Sequence, residues 1–215
     1  MKGHERVWYA SYGSNLKRSR FMCYIQGGVP EGWMESNDGS RDKNPPLDSR
    51  PKSLNVDLYF AGRSSVWGGG GVAFIRTGTK HSVTLGRMYL ITDEQFNDVV
   101  MQENSRAVDG SRFVPAFDDL VRTPESILPG NPWYGKLLNI GTEEGYPILT
   151  FTTARTDILP NPNAPSEQYL KTIASGVKQT YPEMTEEKIS DYLMGVEGIK
   201  GRLDPNQVRR WVREA

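Results

Sequence analysis

The chain has 215 residues, and its 26 Lys and Arg residues balance its 26 Asp and Glu residues, so the formal net charge is zero. This length suits one domain with a substantial core. The charge balance argues against nucleic acid as a partner, because binding it needs clustered positive charge. No apolar run approaches the roughly 18–20 residues that span a bilayer, so we expect no membrane insertion.

The cysteine and histidine content argues against several kinds of site. Cys23 is the only cysteine, and His4 and His81 are the only histidines. An intrachain disulfide is therefore impossible, and a zinc site or a histidine-based triad is poorly supported. Cys23 lies in an apolar stretch, where cysteines are usually inert, which argues against a thiol enzyme. Because the N-terminus has no apolar stretch of the signal-peptide type, we expect a cytoplasmic protein.

The N-terminal part predicts a strand over residues 7–11 and a helix over residues 15–25. Gly, Pro, Asp, Asn and Ser then dominate residues 27–53, which show no periodicity and predict a long polar loop. A loop of this length inside a domain is usually functional or disordered. Two interpretations stay open: a mobile surface insertion, or a lid in which Trp33 and Met34 pack over a pocket.

Strands are predicted along most of the middle of the chain. They cover residues 54–60, 66–75, 83–91, 133–140 and 146–153, with a turn at 141–145 and one further strand near Phe113. The second of these strands contains four glycines at residues 68–71. Glycine weakens a strand, so these residues indicate either a bend or a close approach to the backbone.

The C-terminal part, residues 166–215, is predicted to be helical. Ser166, Thr185 and Asp204 can each cap a helix, and Asp204 is followed by a proline that suits the first turn. The arginine-rich end, residues 208–213, is typical of a solvated helix face, with a phosphate-binding patch as the alternative. Strands followed by helices predict an α+β fold, which we assign to a single domain, 1–215.

The junction Tyr12-Gly13-Ser14-Asn15 is the first candidate site. It lies between the first predicted strand and the first predicted helix. Backbone N–H groups at such a junction point outward, and a glycine lets a ligand reach them. The turn could therefore bind a carboxylate or stabilise an oxyanion. The alternative is a simple helix cap, because Ser and Asn are also common capping residues.

The second candidate site is the helix predicted after Thr92. Thr92 and Gln95 fit a capping box, and Phe96, Val99 and Val100 mark the buried face. Glu103 is seven residues after Phe96 and continues that face, whereas the acidic residues 93, 94 and 98 fall elsewhere. A carboxylate in line with core residues can serve as a proton shuttle near neutral pH. The alternative is a surface glutamate that reaches solvent or Arg106.

These segments together resemble the γ-glutamylcyclotransferase-like family. Residues 12–16, YGSNL, directly after an N-terminal strand are similar to a signature of that family. Residues 67–75 are similar to its glycine-containing second strand, and residues 86–91 with the helix ending at Glu103 resemble its strand and catalytic-glutamate helix. Residues 165–169 resemble its PSxxY segment. The matches occur in the family's order and span residues 8 to about 180.

The resemblance implies a fold, a reaction and a set of site residues. The implied fold is a small mixed barrel-like sheet flanked by helices, with a pocket at its mouth. Family members cyclise the γ-glutamyl group of a small amine or peptide to 5-oxoproline and need no metal or cofactor. Glu103 would be the catalytic acid and base. The residues implied to bind the substrate are Tyr12, Gly13, Ser14, Asn15 and Leu16.

Two other functions stay open. The chain could be a binding protein on the same fold, which would hold a small amine or carboxylate without turning it over. It could also be an interaction module that contacts a protein or a nucleic acid through the long loop and the arginine-rich end. The second alternative predicts binding that depends strongly on salt.

Overall fold

A computed structural model describes residues 5–33, 35–78, 82–158 and 161–215. His4, Met34 and His81 lie outside these residues. The chain groups into two compact units, each assembled from three separate stretches of sequence. The first unit comprises residues 1–11, 19–50 and 88–155, and the second comprises residues 12–18, 51–87 and 156–215.

The strands lie between residues 6 and 152, and the longest helix lies in the last third of the chain. The strands are β1 Arg6–Ser11, β2 Asp48–Leu54, β3 Asp57–Ala61, β4 Val72–Arg76, β5 Thr84–Thr92, β6 Glu125–Ile127, β7 Lys136–Glu143 and β8 Tyr146–Thr152. The helices are α1 Arg18–Gln26, α2 Asp93–Glu103, α3 Phe117–Arg122, α4 Glu167–Thr180, α5 Glu186–Met194 and α6 Pro205–Arg213. Among the described residues, no helix is both long enough and apolar enough to cross a membrane.

The main sheet is mixed and has six strands in the order β2-β5-β1-β8-β7-β6. Strand β1 is an interior strand and runs parallel to β8, whereas β7 pairs antiparallel with both β6 and β8. Strands β3 and β4 form a separate antiparallel pair. A mixed sheet with helices confirms the predicted α+β class.

The core of the first unit is built from aromatic side chains around β1. The Tyr9 ring stacks on Phe151 with centroids 5.3 Å apart, and the Phe21 ring stacks on Tyr89 at 4.0 Å. Phe96 of α2 is fully buried in the same cluster. Offset-stacked aromatic pairs of this kind add stability beyond the apolar area that they bury.

The C-terminal helices begin at the predicted caps in the second unit. Ser166 Oγ accepts a hydrogen bond from Tyr169 N, and Asp204 Oδ1 accepts from Asn206 N. The predicted apolar face of α4 is buried. Side-chain caps accept hydrogen bonds from the first amides of a helix, which have no partner inside it. Capping residues in the sequence therefore predicted where these helices begin.

The strand predicted near Phe113 is wrong. The amides of Phe113 and Val114 donate to Asn97 Oδ1 at 2.8 and 3.1 Å, and therefore bond to a side chain of α2 instead of a neighbouring strand.

The turn predicted at 141–145 is shorter than expected. Only Glu144 and Gly145, both with positive φ, separate β7 from β8. That pair of conformations suits a tight two-residue hairpin.

The segment 27–53 makes contacts along much of its length, and both interpretations of it, a mobile surface insertion and a lid, stay predictions. Gly28 and Asn37 form an antiparallel bridge, and Gly39 N donates to Gln102 Oε1 at 3.0 Å. The Trp33 ring lies 4.7 Å from the Arg20 guanidinium in a cation–π contact. Strand β2 begins inside this segment, at Asp48. The bond from Gly39 to Gln102 connects residues distant in sequence, so composition alone did not reveal it.

Candidate functional site

The turn after β1 is compact and mostly buried. Residues Ser14–Leu16 form a single turn of 3-10 helix. Its hydrogen bonds run from Leu16 N to Gly13 O, at 3.0 Å, and from Lys17 N to Ser14 O, at 3.1 Å. Within the described residues, no backbone hydrogen bond outside the regular elements uses the amide of Gly13 or of Ser14 as donor. These two amides can therefore donate to an anionic or carbonyl oxygen of a ligand.

The backbone at Gly13 has a close neighbour in the second unit. A Cβ at Gly13 would lie 3.1 Å from the Tyr169 hydroxyl, which is tighter than an ordinary contact. That hydroxyl accepts a hydrogen bond from Ala73 N at 3.2 Å, so the tyrosine connects β4 to the turn. The Trp67 ring lies against Tyr169 with centroids 4.5 Å apart. Gly13 therefore gives the turn room beside a fixed aromatic side chain.

The backbone carbonyl of Leu16, at the end of the turn, is also hydrogen-bonded. Arg87 Nη1 donates to Leu16 O at 3.2 Å, and the side chain of Leu16 is almost fully buried. Tyr12 and Asn15 are buried as well, whereas Gly13 and Ser14 are partly exposed. The two residues with available amides are therefore also those that solvent can reach.

The four glycines at 68–71 serve backbone packing. The strand predicted over 66–75 begins only at Val72, because residues 64–70 form a tight turn in which Gly68 and Gly69 adopt positive φ. A Cβ at Gly70 would lie 2.4 Å from Ser166 N, and one at Gly71 would lie 2.1 Å from Asn163 O. Both interpretations offered by the sequence hold here: the chain bends, and the backbone of residues 163–166 approaches closely.

Glu103 is the last residue of α2 and is half-buried in the first unit. The helix begins with the predicted capping box, in which Thr92 Oγ1 accepts from Gln95 N and Gln95 Oε1 accepts from Thr92 N. At its other end, Asn104 donates to Val100 O and accepts from Tyr134 N at 2.8 Å. These bonds fix the helix end that carries Glu103.

Asp98 and Asn97 are fully buried, although the sequence placed Asp98 away from the buried face of α2. The second face of the helix is covered by residues 38–44 and 111–114. Arg41 donates to Asp98 from its backbone N, at 2.9 Å, and from its guanidinium. The hydrogen bond with Asp98 is the main cause of a raised pKa of Arg41. An apolar stripe reveals only one buried face, so sequence periodicity missed these residues.

The predicted site residues belong to different units. Tyr12, Gly13, Ser14, Asn15 and Leu16 form one turn in the second unit, whereas Glu103 belongs to the first. Their functional roles stay predictions. In the described ranges, His, Cys, Asp and Glu side chains form no group of three or more that could hold a metal ion.

No protein-family model matches the chain. Over 154 residues the chain is 46% identical to histone deacetylase 5 of Arabidopsis thaliana. The matched part is 68% of this chain but 23% of that protein, so the chain spans about a quarter of the length of this relative.

The solved structures give a whole-chain comparison. A structure described as gamma-glutamyl cyclotransferase matches with a TM-score of 0.51 and 16% identity, and covers 98% of this chain and 100% of its own. A yeast gamma-glutamyl cyclotransferase described as specific to glutathione covers 98% of this chain and 96% of its own, at 12% identity. Its TM-score of 0.30 is too low to support an argument. The chain therefore shares the fold of the first structure, gamma-glutamyl cyclotransferase.

Proposed function

We propose that this protein is a γ-glutamylcyclotransferase-type enzyme that acts on a small γ-glutamyl amine or peptide. The α-amine of the substrate attacks its own γ-carbonyl carbon and closes a five-membered ring. The bond from that carbon to the leaving nitrogen then breaks, which gives 5-oxoproline and a free amine. The substrate supplies the nucleophile, so the reaction needs no Ser, Cys or Lys nucleophile and no cofactor.

The observation that carries the proposal is the Tyr12–Leu16 turn directly after the interior strand β1, on a fold shared with a gamma-glutamyl cyclotransferase. In this proposal the amides of Gly13 and Ser14 donate to the oxygen that gains charge when the ring closes. Donors fixed before the reaction stabilise such charge without reorganising, which is typically a large contribution to catalysis. Tyr12, Asn15 and Leu16 hold the turn in shape.

Glu103 is the proposed proton carrier. Ring closure requires that the α-ammonium lose a proton and that the leaving nitrogen gain one. One carboxylate can perform both transfers, as base and then as acid, and such a group typically contributes 10²- to 10⁴-fold in rate. We also propose that the enzyme acts in the cytoplasm on this small substrate, with no nucleic acid or membrane as partner.

Two alternatives lead to different experimental results. Deacylation of a histone is the second candidate, because the chain is 46% identical to part of an Arabidopsis protein named histone deacetylase 5. The match covers 23% of that protein, so this activity is the weaker proposal. A binding protein on the same fold would bind a γ-glutamyl compound without turnover.

The test is 5-oxoproline release from a panel of γ-glutamyl amino acids and amines, with an acetyl-lysine histone peptide assayed in parallel. We expect 5-oxoproline from at least one γ-glutamyl compound and no acetate from the peptide. Acetate release alone would favour the deacylase. A folded protein whose melting temperature rises with a γ-glutamyl compound, and which releases no product, would favour the binding protein.

A further inference from the structure

We propose that helix α4 sets the position of the Tyr12–Leu16 turn, and that Gly176 is the positioning residue. This inference rests on the proposed function, in which the turn supplies the oxyanion donors. It assigns a role to a helix that carries none of the proposed reacting groups. All the residues involved belong to the second unit.

The backbone of α4 approaches the turn closely at Gly176. A Cβ at this glycine would lie 2.4 Å from Lys17 N and 2.5 Å from the carbonyl carbon and Cβ of Leu16. Real Cβ atoms essentially never make such contacts, so only glycine permits this separation. Glycine is an unfavourable residue within a helix, and no turn or positive φ requires one at this position. The close approach of the turn is therefore the reason for Gly176.

Two more contacts with the same helix flank Gly176. Tyr169 lies seven residues earlier, about two helical turns, and its hydroxyl is the group closest to the missing Cβ of Gly13. Gln179 lies one turn later, and its Oε1 accepts a hydrogen bond from Arg18 N at 3.2 Å. Helix α4 therefore contacts the segment 13–18 beside Gly13, at Leu16 and Lys17, and at Arg18.

This geometry predicts that a small displacement at Gly176 moves the amides of Gly13 and Ser14. The bonds from Leu16 N to Gly13 O and from Lys17 N to Ser14 O make the turn a rigid unit. A methyl group that pushes Leu16 and Lys17 away from α4 therefore shifts the donors as well. A misplacement of about 1 Å near reacting groups can lower the rate on the order of 10²-fold.

The test compares Gly176→Ala with a matched glycine control, Gly195→Ala. A Cβ at Gly195 would meet Tyr192 O at 3.4 Å and Asp191 O at 3.7 Å, which are ordinary contacts. For Gly176→Ala we expect kcat/KM to fall on the order of 10²-fold, and by the same factor for every substrate, since the γ-glutamyl group is common to all of them. For Gly195→Ala we expect a change of less than about twofold. These rates are measured well below the melting temperature of each variant.

A folded Gly176→Ala enzyme with the wild-type kcat/KM would overturn the proposal. If Gly176 has a purely structural role, Gly176→Ala will have a lower melting temperature but unchanged kcat and KM in the folded enzyme. That result would also overturn the proposal. If Gly176→Ala does not fold, Tyr169→Phe takes its place, because it removes the hydroxyl beside Gly13. Unchanged kcat/KM in folded Tyr169→Phe would then overturn the proposal.

Hydrogen exchange separates this proposal from the function on which it rests. If the wild type releases no 5-oxoproline from any substrate, the proposed function fails, but the position of the turn can still be tested. We expect the amides of Leu16 and Lys17 to exchange faster in Gly176→Ala and at the wild-type rate in Gly195→Ala. Equal exchange in all three proteins would contradict a positioning role of α4.

Discussion

At the scale of single residues, the ion pair between buried Asp98 and the more exposed Arg41 ties residues 38–44 to α2. The carboxylate of Asp98 is fully buried and accepts from Arg41 and from Asn97 Nδ2. Replacing Arg41 by Met removes the charge that balances Asp98. A fully buried pair broken in this way costs roughly 3–5 kcal/mol. Because the Arg41 side chain is 35% exposed and solvent screens part of the attraction, we expect about 2 kcal/mol.

Urea unfolding of Arg41→Met measures this loss of stability. The matched control is Lys171→Met, which removes a half-buried cation whose carboxylate partners, Glu167 and Glu214, are exposed, unlike Asp98. We expect the control to unfold at nearly the wild-type urea concentration, because ion pairs with solvent-exposed carboxylates contribute little. Equal shifts in the two variants would show that burial of Asp98 does not strengthen its pairing with Arg41.

The thiol of Cys23 should react slowly in the native protein. Burial raises the pKa of Cys23, and the nearby charge of Arg20 opposes that effect more weakly. A raised pKa leaves less thiolate at a given pH, and the thiolate is the reactive form. We expect iodoacetamide at pH 8 to alkylate the folded protein more slowly than the urea-unfolded protein, with full activity in Cys23→Ser. Faster alkylation of the folded protein, or an inactive Cys23→Ser enzyme, would restore the thiol enzyme as a candidate.

At the scale of elements, the glycines before β4 determine how the segment 163–166 packs. Gly71 N donates to Ala164 O at 2.8 Å, and a Cβ at Gly71 would lie 2.1 Å from Asn163 O. Overpacking of this kind typically costs about 1–3 kcal/mol, so we expect Gly71→Ala to lose that much stability. Thermal unfolding measures the loss of stability. The control is again Gly195→Ala, in which the added methyl group makes only ordinary contacts. Equal melting temperatures for the two variants would mean that residues 163–166 move aside freely.

The elements differ in how well sequence predicts them, and helix α2 shows why. Its capping box and apolar stripe are local patterns, so the start of the helix and one buried face followed directly from the sequence. The burial of Asn97 and Asp98 depends on residues 38–44 and 111–114, which are distant in sequence. The failed strand near Phe113 has the same origin, because its amides bond to a side chain of α2. Local sequence patterns therefore predicted where helices begin and which face is apolar. The hydrogen bonds between distant residues determine which segments pack on the other faces, and these could not be predicted.

At the scale of the whole molecule, the fold and the matched sequence point to different known proteins. The fold is shared with a gamma-glutamyl cyclotransferase over 98% of this chain, whereas the sequence match is to 23% of a plant histone deacetylase. The α+β class followed from the order of strands and helices and is confirmed. The assignment of residues 1–215 to one domain stays a prediction, as do the roles of the site residues. Those roles depend on chemistry with a substrate, which neither periodicity nor fold determines.

The most direct test of the central claim is 5-oxoproline release by Glu103→Gln beside the wild type. The matched control is Glu94→Gln, which makes the same change at a partly exposed position at the other end of the same helix. We expect kcat to fall on the order of 10²- to 10⁴-fold in Glu103→Gln, with the melting temperature nearly unchanged, because a general acid and base is lost. We expect Glu94→Gln to keep the wild-type rate. Wild-type turnover by folded Glu103→Gln would contradict the account and remove Glu103 from the mechanism.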